Sequence, residues 1–380
     1  MRVLLAGTVL GTGGIQTHIR WLARALGEAG VPTLALSLTG APETGEEIES
    51  LSASSGPLVD TAFCGGHSLI SLARFRRFGA VMEIIGRFRP DVYVAVGTGW
   101  NLFLPVLFCR NRPRLIFHEV MSGVPHGAKD SRWMVRCFFD EIVGQSEIVT
   151  RTFRQSFGWK GLSSTLAALP EPLEITAKLP DVYRRTVPLG QAKAAFFGRL
   201  APHKNALWLV RQWDHLKDFL RELHIFGAGS EQAEIVSHIT ATGIGDRVQY
   251  RGPYPPGQGY VDLLSTYDFV LLPTLGAEGA PLVLLESMAC GVPFVAYGVG
   301  GIPDYGRDNL DVIVVPPESN TFIEHVRRMA DKLAAGQLDQ SRLQHFYISN
   351  YSNDKLKQAW LTYLYAAAER RQLVKHPIAA

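Results

Sequence analysis

Short apolar runs rich in Val, Ile, Leu and Phe alternate with segments of helical period along the whole chain. That alternation predicts parallel sheets covered by helices on both faces, an α/β class with doubly wound sheets. The strand Val3 to Ala6 leads through a glycine loop into a helix with Ile15, Ile19, Leu22 and Leu26 on one face, closed by Gly30. Further strands are predicted at 33–38, 92–96, 115–117 and 141–143. From 169 to 191 four prolines (170, 172, 180, 188) interrupt all periodicity, which reads as an interdomain connection. A second series of strands follows at 194–197, 223–226, 248–251, 269–272, 294–296 and 312–315. The last helix, 354–372, carries Leu356, Trp360, Tyr363, Leu364 and Ala367 on one side, which must be buried somewhere. The expected organisation is a Rossmann-like domain over 1–180, a second over 181–353, and a helical segment 354–380 returning to the first domain. Neither an internal repeat nor a low-complexity segment interrupts it.

At 380 residues the chain exceeds what one core usually organises, and 47% hydrophobic against 19% charged residues is a globular composition. A net charge of +3 gives no argument for nucleic-acid binding, and none is expected. Charge is uneven, however: between His67 and His118 stand eight arginines (74, 76, 77, 87, 89, 110, 112, 114) against Glu83 and Asp91. The four cysteines, 64, 109, 137 and 290, form no C-x-x-C pair, which disfavours a disulfide framework or zinc site and fits a reducing cytoplasm. The apolar start runs directly into Gly11-Thr12-Gly13-Gly14 and reads as a strand, not a leader. No apolar run approaches the ~20 residues that span a bilayer.

The densest chemistry lies in Ala277 to Pro293, directly after a predicted strand. Pro281 suits the first helical position and Gly291 the residue past the end, predicting a short helix over 281–290. Its free N–H groups at Leu282, Val283 and Leu284, with the positive end of the helix dipole, favour a phosphate. Glu286 lies five residues further in, ~7.5 Å along the axis, the span from a diphosphate to ribose hydroxyls. Glu278, ahead of Gly279 and Ala280, stands on the other side of that phosphate, where its carboxylate would accept from sugar hydroxyls. Gly198-Arg199-Leu200-Ala201-Pro202-His203-Lys204-Asn205 follows the first strand of the second domain. Arg199 and Lys204 are permanent cations at the same sheet edge, suited to phosphate oxygens and to charge developing on a leaving group.

The Glu278/Glu286 segment resembles the E-x7-E motif, and Gly198 to Lys204 the G-R-L-x-x-x-K motif, of the retaining glycosyltransferase family 4, and they occur in the family's order. Gly300-Gly301-Ile302-Pro303-Asp304 is similar to its next G-G-x-x-E loop, and Phe226-Gly227-Ala228-Gly229 to its glycine turn beside the nucleotide. The resemblance implies the GT-B fold, two Rossmann-like domains facing a central cleft. It implies transfer of a hexosyl group from a UDP- or GDP-sugar to an acceptor hydroxyl with retention, in glycan, polysaccharide or glycolipid synthesis. Gly13 and Gly14 match the family's amino-terminal glycine loop near the donor diphosphate, and His118 its strand-end histidine beside the transferred sugar. Catalytic roles then fall to His118, Glu278, Arg199 and Lys204. Donor contacts fall to Gly13, Gly14, Gly198, Arg199, Lys204, Gly227, Gly229, Glu278, Gly279, Ala280, Pro281, Leu282, Val283 and Glu286. No D-x-D segment is present, so no metal or other cofactor is expected beyond the sugar nucleotide itself.

Several positions depart from the family pattern: Gln16 replaces a frequent acid, His203-Lys204-Asn205 a usual acid-Lys-Gly, Asp304 a glutamate, and Leu169 to Pro172 a usual Asn-Gly. The G-x-G-G at 11–14 does not complete a dinucleotide fingerprint, and no acid closes the second strand, which disfavours a dehydrogenase. Two other classes stay open: a sugar-nucleotide epimerase of the same architecture, and a non-catalytic nucleotide-binding module. The acceptor is expected to be a small molecule, a glycan or a lipid-linked sugar. Leu72 to Phe78 interleaves arginines with phenylalanines, which suits either a solvated basic helix face or a peripheral contact with anionic membrane at its cytosolic side.

Overall fold

The structure, a computed structural model, describes residues 1–9, 14–37, 59–63, 81–103, 112–167, 172–276 and 278–375. The chain divides into two compact units, Met1–Glu171 with Asp354–Ala380, and Pro172–Asn353.

The first unit holds a parallel sheet of seven strands: β1 (Val3–Gly7), β2 (Thr33–Ser37), β3 (Val59–Phe63), β4 (Val92–Val96), β5 (Arg114–Glu119), β6 (Glu141–Gly144) and β7 (Leu162–Thr165). Their order is β3-β2-β1-β4-β5-β6-β7, so the winding reverses between β1 and β4. β1, β2 and β4 are buried along their whole length, as strands covered on both faces must be. One face of the sheet packs on Leu102, Phe103, Val135, Phe139, Phe153 and Phe157. The other face carries the helix Gly14–Glu28, whose buried side is His18, Ile19, Trp21, Leu22, Ala25 and Leu26.

The last helix, Asn353–Lys375, belongs to this unit from Asp354 onward. Leu356, Trp360, Leu364 and Ala367 are buried, and Trp360 is 0% exposed. Its polar side is tied down as well: Tyr363 and Arg370 both bond the Glu141 carboxylate, at 2.9 and 2.7 Å, and Lys357 pairs with Glu28 at 2.9 Å.

The second unit holds six parallel strands: β8 (Ala192–Phe197), β9 (Leu220–Phe226), β10 (Val248–Gly252), β11 (Phe269–Leu272), β12 (Phe294–Tyr297) and β13 (Ile313–Val315). Their order, β10-β9-β8-β11-β12-β13, reverses between β8 and β11. Both units are thus doubly wound Rossmann-like sheets. The crossing into the second unit falls at Glu171/Pro172, nine residues before the compositional boundary at 180. Residues 172–180 go with the second unit because Leu173 is buried there and Glu174 accepts from the Tyr347 hydroxyl at 2.7 Å and the Asn353 N–H at 2.6 Å.

Among the described residues no helix is long and apolar enough to cross a membrane. The arginine-rich stretch is less basic than its count, because Arg87 pairs with Glu83, Arg112 with Asp140 and Arg114 with Glu141. Leu72 to Phe78, Arg110, Cys64 and Cys109 lie outside the described residues.

Candidate functional site

The winding of the second sheet reverses between β8 and β11, and a doubly wound sheet opens a crevice at such a reversal, at the carboxyl ends of its strands. The loop after β8 carries Arg199 and Lys204, and the loop after β11 carries Glu278. Tertiary bonds sew these loops together. Gly198 N–H donates to Phe226 O at 3.2 Å and Leu200 N–H to Ala228 O at 2.9 Å, which fixes the cationic loop against the 227–229 turn. Leu275 N–H donates to His203 O at 3.0 Å, and the Asn205 amide donates to Pro273 O at 3.0 Å. Asn205 sits at φ 56°, ψ 26°, the left-handed conformation asparagine tolerates best after glycine. Asparagine therefore keeps the turn a glycine would make and adds a bond across to the residue that follows β11.

Two glycines have no substitute. Gly227, at φ +127°, passes so close to the cationic loop that a Cβ would lie 1.8 Å from Gly198 O. Gly300, at φ +57°, would place a Cβ 1.7 Å from Glu278 O. Beside it, Gly301 N–H donates to Gly279 O at 2.7 Å, so the glycine loop after β12 clamps the backbone that presents Glu278.

The Lys204 ammonium donates to the Glu278 carboxylate, and each side chain is only 14% exposed. Arg199 is exposed, and among the described residues no partner is seen for its guanidinium. The helix that follows is Leu282–Ala289, and Pro281 caps it at φ −67°, ψ 118° instead of forming its first turn. Leu284 N–H is already used by Pro281 O at 3.2 Å, so the free donors at this helix tip are Leu282 and Val283, not all three residues. Gly279, Ala280 and Leu282 keep partial exposure in front of it.

Glu286 lies on the same helix, half-buried, near Tyr254, Tyr260 and Cys290. Burial pushes it from an ordinary 4.5 up to about 7, partly offset by the nearby Tyr260 hydroxyl. Burial, with the Glu286 charge nearby, pushes the Cys290 thiol up to about 12.

In the first unit the outcome differs. Gly13 lies outside the described residues, whereas Gly14 opens the first helix, exposed, with nothing within 4 Å of where a Cβ would stand. His118 ends β5 as expected of a strand-end residue, but its ring is 0% exposed. It lies edge-on to His18 at 5.1 Å and to Trp360 at 5.0 Å, between the sheet and the first and last helices. Its Nδ1–H donates to Val143 O at 2.9 Å, and burial, then His18, hold its pKa down to about 3. In this structure the ring is therefore enclosed and neutral, covered by a helix from the far end of the chain.

Three residues invisible to motif reading organise the loop after β5. Arg132, 0% exposed, pairs with Glu119 at 2.9 Å and Asp130 at 2.7 Å and donates to Val124 O at 2.6 Å. Burial opposes the charge of Asp130, but Arg132 and the His126 and Arg132 N–H groups outweigh it and hold the carboxyl down to about 2. Their only sequence signal was Asp130 two residues ahead of an arginine.

Residues 191–332 match the family model described as glycosyl transferases group 1. The chain is 29% identical over 203 residues to an exopolysaccharide phosphotransferase of Streptomyces coelicolor, covering 50% of this chain and 19% of that protein. It is 28% identical over 140 residues to a 2-deoxystreptamine glucosyltransferase of Streptomyces kanamyceticus, covering 36% of this chain and 35% of the relative. The chain thus spans about a fifth to a third of these curated relatives. Among solved structures it resembles Anabaena HepE in complex with UDP, at a TM-score of 0.73 and 17% identity over 96% of this chain and 100% of that one. That likeness shows the GT-B type of α/β fold.

Proposed function

We propose that this protein is a retaining glycosyltransferase of family 4 type that moves a sugar from a nucleoside-diphosphate donor to an acceptor hydroxyl. The observation that carries the reading is that the loops after β8 and β11, at the switch point of one sheet, bring Lys204 and Glu278 into contact just ahead of the helix Leu282–Ala289. Arg199, Lys204 and the Leu282 and Val283 N–H groups hold the diphosphate, and Glu286 accepts from the ribose hydroxyls. Glu278 accepts from hydroxyls of the transferred sugar. As the glycosidic bond breaks, negative charge gathers on the departing diphosphate, where the fixed cations and helix dipole stabilise it most. The protein compared above is seen with UDP, and also with UDP-glucose, which supports a nucleotide-sugar donor. GT4 membership, retention, independence of a metal, a cytoplasmic setting and a role in polysaccharide or glycolipid synthesis belong to this proposal.

The test is a thermal-shift panel of UDP and GDP followed by incubation of the matching sugar nucleotides with glycan and lipid-linked acceptors. A ligand binding the folded state raises apparent stability as RT ln(1 + [L]/Kd), so base preference is read without knowing the acceptor. Sugar transfer supports the proposal. Isomerisation of the donor without acceptor would make it an epimerase, and tight binding without turnover a nucleotide-binding module.

A further inference from the structure

We infer that Lys204 and Glu278 form an exchangeable ion pair that sets the site against free nucleoside diphosphate and in favour of the intact sugar nucleotide. The inference rests on the donor reading above and adds a consequence of the geometry. The ammonium and carboxylate stand 74 residues apart in sequence, and both are largely enclosed at 14% exposure. Each is presented by a loop with its own anchors: Asn205 to Pro273 O and Leu275 to His203 O for the lysine, Gly300 and Gly301 for the glutamate backbone. The contact is thus built into the fold, unlike a chance meeting of two solvated side chains. Arg199, exposed and without a partner among the described residues, is the cation left available to a first phosphate.

A diphosphate bound at Lys204 competes with Glu278 for the ammonium. A free nucleoside diphosphate offers Glu278 nothing in return, so an enclosed carboxylate is left beside added negative charge, a costly arrangement. A donor carrying a sugar supplies hydroxyls that donate to the carboxylate as the diphosphate takes the lysine. Both partners are then satisfied again. After transfer the sugar is gone, the carboxylate reclaims the lysine, and the spent diphosphate is expelled.

The test is calorimetric titration of UDP and of GDP into wild type, Glu278→Gln, Lys204→Met and the double variant, with matched thermal unfolding as the check of folding. The base that binds wild type more tightly is carried through the series. Glu278→Gln is expected to tighten nucleoside diphosphate binding roughly three- to tenfold, the scale of one partly enclosed ion pair, and the gain is expected to vanish in the Lys204→Met background. Unchanged or weaker binding by Glu278→Gln, with Lys204→Met still weakening it, overturns the exchange while leaving the donor reading intact. A gain that persists without Lys204 also overturns it, because the effect is then charge acting through space. If neither diphosphate binds, or Lys204→Met binds as wild type does, the donor reading itself fails and the exchange with it.

Discussion

Replacing Glu286 by Gln keeps the shape of a helix residue and removes its titration. The carboxyl is pushed from an ordinary 4.5 to about 7 by burial. Each pH step of such a displacement corresponds to ~1.4 kcal/mol, and with solvent reaching part of the side chain full ionisation in the empty site costs at most ~3 kcal/mol of stability. The sign follows from the direction. The folded state holds this proton more tightly than the unfolded chain, so the cost is absent below 4.5, grows between 4.5 and 7, and levels off above. Glutamine has no such cost. At pH 8 the variant is therefore expected to be more stable than wild type by ~1–3 kcal/mol, several degrees in the melting of the second unit, and by little at pH 4.5. If Glu286 takes the ribose as proposed, the nucleotide works the other way, since a charged carboxylate accepts from the two hydroxyls more strongly than an amide oxygen does. UDP or GDP should raise the melting temperature of wild type by more than that of the variant, a trade of stability for function. Differential scanning fluorimetry across pH 4.5 to 8, with and without nucleotide, measures both effects. A stability gain independent of pH, or a loss at pH 8, would refute the argument from burial.

Three further outcomes follow from the packing. Gly300→Ala forces a Cβ to 1.7 Å from Glu278 O at a φ of +57°, and should cost more than ~2 kcal/mol in urea titration. Arg132→Met leaves Glu119 and Asp130 enclosed without their cation, and a loss of ~3–5 kcal/mol is expected in chemical denaturation of the first unit. Trp360→Ala opens a cavity beside His18 and His118 and should cost ~3–5 kcal/mol, with nucleotide affinity of the second unit unchanged. A fall in nucleotide affinity without a fall in stability would count against that last separation.

Most of the architecture was legible along the chain because strands covered on both faces leave continuous apolar runs. β4 and β11 were predicted to the residue, eight more lie within one or two residues of their observed ends, and β9 begins three residues before its expected start. The two strands missed, β3 and β7, are the edges of the first sheet, and Leu162–Thr165 is only half covered, so no apolar run marks it. The cations, glutamates and glycines of the second unit were legible as motifs, since backbone approach and anion binding tie residue types to fixed spacings. What spacing does not encode is who faces whom across the fold. The pairing of Lys204 with Glu278 depends on β8 and β11 being neighbours in the sheet. The enclosure of His118 depends on Trp360 arriving from the last helix, and the upward push on Glu286 on the walls around its carboxyl. Local periodicity and turn chemistry are properties of neighbouring residues and can be read in one dimension. Burial and charge pairing between distant residues exist only once the sheet has brought them together, and those are what decide which sequence motifs become a working site.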